Sequence, residues 1–74
     1  NPSTQLSFEL SSPSNVRYTV YSVLGQEVYT ENLGLKNSGR HTMRFNAGNL
    51  SSGVYIIRMQ AGAEVRSQTI TLIK

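Results

Sequence analysis

The segment from position 50 to position 59 restricts the fold of this chain more than any other part of its sequence. It reads Leu-Ser-Ser-Gly-Val-Tyr-Ile-Ile-Arg-Met, so a tight turn directly precedes a strand that opens with a tyrosine. Leu50 can reach into a core, Gly53 can adopt backbone angles closed to other residues, and Tyr55 can bury its ring while its hydroxyl group bonds nearby backbone. This arrangement resembles a tyrosine corner and predicts a crossover between the two sheets of a β-sandwich.

Short strands separated by turns are predicted along the whole chain. Alternating residues, or runs of β-branched and aromatic residues, occupy positions 5–10, 16–23, 26–30, 40–45 and 64–73, and a weaker edge segment lies at 32–35. The side chains that we expect to face the core are Leu6, Phe8, Leu10, Val16, Tyr18, Val20, Val28, Tyr55, Ile57, Met59, Ile70 and Leu72. No window holds apolar residues at a sustained helical spacing. The sequence therefore predicts one all-β domain over residues 1–74, an immunoglobulin-like antiparallel β-sandwich of about seven strands.

The composition excludes the disulfides and structural metal sites that commonly stabilise a small domain. The chain has no cysteine or tryptophan, one histidine and four acidic residues, all of them glutamates. These residues cannot supply a disulfide or the ligands of a structural zinc or calcium site, so no cofactor or metal is predicted. A domain of this length buries only about 60% of the surface that its unfolded chain exposes. Its stability must therefore come from hydrophobic packing and sheet hydrogen bonds.

The net charge of +3 is small and is spread along the chain. The five arginines lie on several predicted strands, whereas nucleic-acid-binding proteins cluster their positive charges on one element. No apolar run is long enough for a membrane span, and no signal peptide opens the chain, which begins at Asn1. We therefore expect a piece of a longer protein, with no nucleic-acid partner and no membrane span.

Catalysis is not predicted. A nucleophilic triad would need His41 and a glutamate beside a serine, and most serines lie in predicted turns. A pair of glutamates could cleave glycosidic bonds only within a cleft, which a sandwich of this size hardly forms. His41 alternates with Met43 and Phe45 in a strand pattern. This pattern is typical of a partly buried histidine with one hydrogen-bonded nitrogen rather than of a metal ligand.

Tyr21 and Tyr29, together with outward-facing Val54 and Ile56, could form an exposed patch. Such a patch could stack on sugars, and the chain would then be a polysaccharide-binding or spacer module appended to a secreted glycan-degrading enzyme. Ordinary cross-strand pairing on an outer face explains the same residues, and carbohydrate platforms usually contain tryptophan. A fibronectin-type-III-like adhesive or structural domain is a third alternative.

Several motifs taken together resemble one known family. The chain starts with Asn1-Pro2, contains Tyr-Ser-Val-Leu-Gly-Gln-Glu-Val at 21–28 and Leu-Ser-Ser-Gly-Val-Tyr at 50–55, and ends in Ile-Thr-Leu-Ile-Lys. This combination resembles the type A C-terminal sorting domain of proteins exported by the type IX secretion system of Bacteroidetes-type bacteria, over essentially the whole chain. Asn46 departs from the family pattern, because an aspartate is common at that position.

The resemblance implies an immunoglobulin-like sandwich attached to an exported cargo protein. In this family the cargo passes through the periplasm, the outer-membrane translocon recognises the sorting domain, and a sortase-like peptidase commonly removes it. The cargo is then released or attached at the cell surface. The partners that the resemblance implies are therefore the outer-membrane secretion machinery, the peptidase and an upstream cargo domain.

A folded module without a reactive group can act as a targeting signal only through its shape, its strand edges and its surface side chains. The C-terminal strand is the best candidate, because a terminal strand offers unpaired backbone groups and the charge of its last residue. We therefore predict that the secretion machinery recognises Gln68, Thr69, Ile70, Thr71, Leu72, Ile73 and Lys74.

Overall fold

Six β-strands form two antiparallel sheets in the computed structural model, which describes residues 3–46, 48 and 50–73. The strands are β1 (Ser3–Leu10), β2 (Ser14–Ser22), β3 (Glu27–Lys36), β4 (Gly39–Asn46), β5 (Gly53–Ala61) and β6 (Glu64–Leu72). The smaller sheet has the order β1-β4, and the larger sheet has the order β3-β2-β5-β6. The prediction of an all-β antiparallel sandwich is confirmed.

The number of strands differs from the expected number because of β3. Residues 26–30 and 32–35, which we expected to form two segments, contribute to this single strand. β2 pairs with β3 along its length, although the register shifts between Val16 and Arg17 and again between Val20 and Tyr21. Such shifts absorb extra residues without ending a strand. The described residues therefore form six strands rather than about seven.

The inward position on β3 also differs from the expected one. Val20 lies opposite Tyr29 and Tyr21 lies opposite Glu27, so Val28 is the extra residue at the second register shift. Because neighbours across a ladder share a face, Tyr29 lies on the face of Val20, where its ring contacts the rings of Tyr18 and Phe45 although the residue is 42% exposed. Val28 does not belong to the core cluster. The expectation that Val28 faces inward is wrong, because alternation along one strand does not reveal a bulge.

The core lies between the two sheets. It consists of Leu6, Tyr18, Val20, Phe45, Tyr55, Ile57, Ile70 and Leu72, with Leu33, Met43, Leu50 and Met59 packed against it. The rings of Tyr18 and Phe45 belong to different sheets and meet edge to face, with their centroids 6.1 Å apart. The inward residues expected on β1, β2, β5 and β6 are thereby confirmed, with Phe8 and Met59 half-buried.

Two phenol groups share one carboxylate at the border of the core. The Tyr18 hydroxyl group donates to Glu31 Oε1 at 2.7 Å, and the Tyr29 hydroxyl group donates to the same oxygen at 3.2 Å. Tyr18 is almost fully buried. This burial, together with the hydrogen bond to the Glu31 carboxylate, raises the pKa of Tyr18 far above its ordinary value. The Tyr18 phenol group therefore stays uncharged while it links β2 to β3.

The turn before β5 has the hydrogen bond of a tyrosine corner. Tyr55 is buried near the start of β5, and its hydroxyl group donates to the Ser51 carbonyl oxygen at 2.8 Å. Gly53 has a φ of 155°, which residues with a side chain rarely adopt, and Leu50 packs against the core. The segment from residue 50 is therefore held against the strand that it precedes.

We expect Tyr55→Phe to lower the free energy of unfolding by about 1 kcal/mol, because the Ser51 carbonyl group loses its part-buried partner while the ring stays in place. In a domain of this size that loss corresponds to a decrease of about 4–8 °C in Tm. Tyr21→Phe is the control, since Tyr21 lies on the outer face opposite Ile56. Equal Tm values for the two variants, measured by circular dichroism, would contradict the role of the corner.

The raised pKa of Tyr18 predicts a loss of stability in alkaline solution. In the unfolded chain this phenol group ionises near its ordinary pKa of about 10, whereas the folded chain keeps the proton. Above that pH the unfolded state binds fewer protons than the folded state, so stability decreases by up to about 1.4 kcal/mol per pH unit for this group. Urea unfolding on either side of about pH 10 measures the decrease. The slope should be shallower for Tyr18→Phe, and identical slopes would refute the assignment to Tyr18.

Candidate recognition surface

β6 is the last strand of the larger sheet and lies at its edge. It pairs with β5 from Leu72, opposite Gly53, to Glu64, opposite Ala61, and among the described residues no strand pairs with its other side. Gly62 has a φ of 62°, as the first position of a type II′ hairpin turn requires. β6 therefore presents one row of backbone N–H and C=O groups to a further strand.

The two halves of β6 differ in burial. Ile70 and Leu72 point into the core and are buried, whereas Glu64, Arg66 and Gln68, which share their face, are exposed. The smaller sheet has two strands and therefore covers only part of the larger sheet. Packing against the core thus fixes the second half of β6, while the first half is fixed mainly by its pairing with β5.

Charge distinguishes the second half of β6 from the edges formed by β3 and β4. β4 contains two arginines, and β3 contains two glutamates, one lysine and the two register shifts. Charged side chains and bulges on an edge strand oppose the addition of another strand. β6 has no charged residue after Arg66. The segment from Gln68 to Leu72 is therefore the edge of the larger sheet that is most open to pairing.

The predicted recognition residues lie partly on the surface and partly in the core. Gln68, Thr69, Thr71 and Ile73 are exposed, Ile70 and Leu72 are buried, and Lys74 lies outside the described residues. Thr69 and Thr71 are on the outer face, where they stand opposite the exposed side chains of β5. A partner can therefore contact the backbone edge and these polar side chains, while Ile70 and Leu72 anchor the strand.

Tyr21 and Tyr29 do not form the shared patch that the carbohydrate-binding alternative requires. Tyr21 lies opposite Ile56 on the outer face, whereas the Tyr29 ring packs on the core side, 5.9 Å from the Tyr18 ring and 5.7 Å from the Phe45 ring. The second register shift between β2 and β3 accounts for this difference. The two rings face opposite sides of the sheet, so the geometry does not support a sugar-stacking platform made from both.

His41 has the surroundings of a structural residue. It is half-buried, its ring stacks on Phe8 with the centroids 5.4 Å apart, and its Nε2 atom donates to the Asn37 carbonyl oxygen at 2.7 Å. The expected partly buried histidine with one hydrogen-bonded nitrogen is confirmed. Within residues 3–46, 48 and 50–73, no group of three histidine, cysteine or acidic side chains could hold a metal ion. The same part of the chain contains no helix that could serve as a membrane span.

A groove of about 400 Å³ opens between β1 and the first half of β6. Leu6 and Leu10 of β1 line one wall, Ile57 and Met59 of β5 form the apolar floor, and Gln68 belongs to the opposite wall. Our reading of the sequence missed this groove, because it depends on how many strands each sheet contains. The sequence contained one indication of the groove. The residues at positions 64, 66 and 68 are polar, although they share a face of the strand with the inward residues Ile70 and Leu72.

The whole chain was also compared with known protein families. A family model described as "Secretion system C-terminal sorting domain" matches residues 1–74. The chain belongs to this family. No match was found among curated proteins. The sorting domain therefore acts as a C-terminal signal for type IX secretion, which implies a secreted or cell-surface cargo protein and interaction with the type IX machinery. Sorting domains of this kind are typically non-catalytic.

The anchoring role of Ile70 predicts a position-specific loss of stability. Ile70→Ala should lower the free energy of unfolding of the sorting domain by about 2–4 kcal/mol, because it leaves a cavity in the core. Ile56→Ala is the matched control, since the same atoms are removed from a side chain on the outer face that is 36% exposed, and it should cost about 1 kcal/mol or less. Urea denaturation measures both values. Similar losses would show that Ile70 does not anchor β6.

Proposed function

We propose that the outer-membrane translocon of the type IX system recognises the sorting domain through the edge of β6, from Gln68 to Leu72 and on into Ile73 and Lys74. In this role the domain is a folded, non-catalytic targeting signal attached to its cargo protein. The observation that carries the proposal is the combination found from Gln68 to Leu72: among the described residues no strand pairs with the outer edge of this stretch, it contains no charged side chain, and two of its side chains are buried anchors.

Recognition of this kind uses strand addition. A partner strand satisfies the outward backbone groups of β6, and each hydrogen bond contributes about 0.5–1.5 kcal/mol net. Ile70 and Leu72 hold the segment in the extended conformation beforehand, so binding does not have to supply the ordering entropy of a flexible tail. Thr69 and Thr71 lie beside the edge, where their side chains can set the register of the partner strand.

The absence of catalysis is part of the proposal. Its support comes from the typical behaviour of the family and from His41, whose Nε2 atom donates to the backbone and whose ring stacks on Phe8. A triad histidine would instead donate from one ring nitrogen to a carboxylate and accept the nucleophile's proton at the other. No cofactor enters the proposed mechanism.

The later steps of sorting are also proposed for this chain. We infer that the cargo lies upstream of the domain and reaches the translocon through the periplasm. A sortase-like peptidase then separates the cargo from the domain, and the cargo is released or attached at the cell surface. These steps require residues 1–74 to behave as one folded unit, which the packing of β1 and β4 against β5 and β6 supports.

Paired lysine substitutions test recognition through the edge of β6. We expect Thr69→Lys/Thr71→Lys to reduce export of a fused reporter about tenfold, because lysines beside an edge oppose strand addition. The matched control is Val65→Lys/Ser67→Lys, which places the same charges on the same outer face of the first half of β6 and should leave export nearly unchanged.

The measurement is an immunoblot of the reporter in the medium, at the cell surface and inside type IX-competent cells, with the Tm of each purified domain as a check on folding. Loss of export in both variants would indicate a general effect of charge. Normal export of the Thr69→Lys/Thr71→Lys protein would refute the proposal.

A further inference from the structure

Most of the exposed large apolar side chains lie at one end of the larger sheet. On the outer face of that end Tyr21 lies opposite Ile56, and Ile56 lies opposite Thr69 on β6. In the neighbouring row Val54 lies opposite Thr71. Val54 and Ile56 are exposed, and Tyr21 is half-buried. The side chains of Tyr21, Val54 and Ile56 form a surface that we call the outer-face patch.

Further exposed apolar side chains lie around the patch, where β2 ends, β5 begins and β6 ends. Val23 and Leu24 occupy the turn after β2, and Ile73 directly follows β6. The turn is held by a hydrogen bond from the Gly25 N–H group to the Ser22 carbonyl oxygen at 2.9 Å. The apolar surface at this end of the sheet therefore extends from the turn between β2 and β3 to the end of β6.

The remaining rows of the outer face are mainly polar. Arg58 lies opposite Thr19 and Ser67, and the Arg17 guanidinium group donates to Gln60 Oε1 at 2.8 Å. These rows pair across the same three strands with few apolar side chains. Sheet pairing alone therefore does not explain why apolar side chains gather in the patch. An exposed apolar surface with polar surroundings is typical of a contact with another protein.

The charge beside the patch is positive. Arg58 is exposed and follows Ile56 on the outer face of β5. One of the four glutamates, Glu27 on the edge strand β3, shares this face, where it lies opposite Tyr21. The other three glutamates belong to the smaller sheet or to the inner face of the larger sheet, and they are Glu9, Glu31 and Glu64. A complementary partner is therefore apolar over the patch and carries an acidic side chain next to Arg58.

The position of the patch favours the partner of β6 as its occupant. Thr69 and Thr71, which belong to the proposed recognition segment, are the direct neighbours of Ile56 and Val54. Adjacent strands lie about 4.8 Å apart, so a strand added to β6 would lie about 10 Å from β5. Stable protein interfaces bury about 800 Å² of each partner, which is more than one short strand edge offers. A partner that binds this edge can therefore enlarge its interface by covering the patch.

We propose that the component of the secretion machinery that pairs with β6 also covers the outer-face patch, through an apolar surface that carries an acidic side chain beside Arg58. This inference rests on the proposed recognition through β6 and adds a second contact to it. The edge of β6 supplies backbone hydrogen bonds, and the patch supplies apolar surface that becomes buried on binding.

Threonine substitutions test the patch. Threonine keeps a β-branched side chain on the strand and adds no charge, but its hydroxyl group loses its hydrogen bonds to water when an apolar partner covers it. We expect Val54→Thr/Ile56→Thr to reduce export of a fused reporter about fivefold or more. The matched control is Leu35→Thr/Val65→Thr, which alters two exposed aliphatic side chains at the other end of the sheet and should leave export within about twofold.

Charge reversal tests the acidic side chain of the partner. We expect Arg58→Glu to reduce export about tenfold, because like charges would then meet in the interface. Arg44→Glu is the control, since it reverses the same charge on the smaller sheet, opposite Gln5, and should leave export within about twofold. An equal reduction by both variants would indicate an effect of net charge and would overturn the assignment of an acidic partner group.

Cross-linking identifies the occupant of the patch. A photo-crosslinking phenylalanine analogue is placed at position 54, 65 or 71 of the fused domain in type IX-competent cells. We expect the analogue at positions 54 and 71 to cross-link to the same outer-membrane protein, and the analogue at position 65 to give little of that product. A cross-link from position 54 to the cargo or to a second copy of the chain would overturn the inference.

The export assays distinguish this inference from the proposal on which it rests. Loss of export by Thr69→Lys/Thr71→Lys with normal export of Val54→Thr/Ile56→Thr would refute the contact at the patch and leave recognition through β6 intact. The reverse pattern would refute recognition through β6 and leave the patch as the contact. The Tm of each purified domain checks that the fold is intact.

Discussion

The hydrogen bond from the Tyr55 hydroxyl group to the Ser51 carbonyl oxygen holds the preceding turn against the start of β5, where Tyr55 is buried. β5 is central in the larger sheet, so its position sets the register of both neighbours. With Tyr55 and Ile57 turned inward, their partners Ile70 and Gln68 on β6 must turn inward too. The exposure of Thr69 and Thr71, and hence the chemistry of the recognition edge, therefore depends on a turn that lies far away in sequence.

Incomplete coverage of the larger sheet connects stability with recognition. A two-stranded sheet faces a four-stranded sheet, so the core is concentrated under the second half of β6, where Ile70 and Leu72 are buried. Polar side chains occupy the uncovered inner positions 64, 66 and 68 and spare the domain an exposed apolar face. The incomplete coverage also leaves one ordered strand edge and one groove exposed, in a chain that has no cysteine to form a disulfide.

Alternation along the sequence was sufficient to predict the strands that carry the core. On β5, buried Tyr55 and Ile57 alternate with exposed Val54, Ile56 and Arg58, because the strand is central and one face is buried. β2 follows the same alternation except at Thr19, which is buried between Tyr18 and Val20. β3 was harder to predict, because it is an edge strand with two register shifts. Each shift changes which residues face the core, so Tyr29 takes the inward position that we expected for Val28. The groove was not predictable at all from local patterns, because it follows from the division of the strands between sheets. The edge of β6 was predictable as a C-terminal strand, but its division into an uncovered and an anchored half was not.

A neutral free edge is both a recognition element and a risk, because it can pair with any other exposed strand. Within the larger sheet this risk is confined to one short segment, since charges or bulges mark β3 and the first half of β6. In that sheet, strand addition is thereby directed to the second half of β6. The buried anchors add a second condition, because a partner must accept a straight, prearranged strand and cannot pull Ile70 or Leu72 from the core without opening the domain. Under the proposed recognition, binding of the β6 edge depends on the folded state, so we expect an unfolded tail with the same residues to be a weaker signal than the intact sandwich.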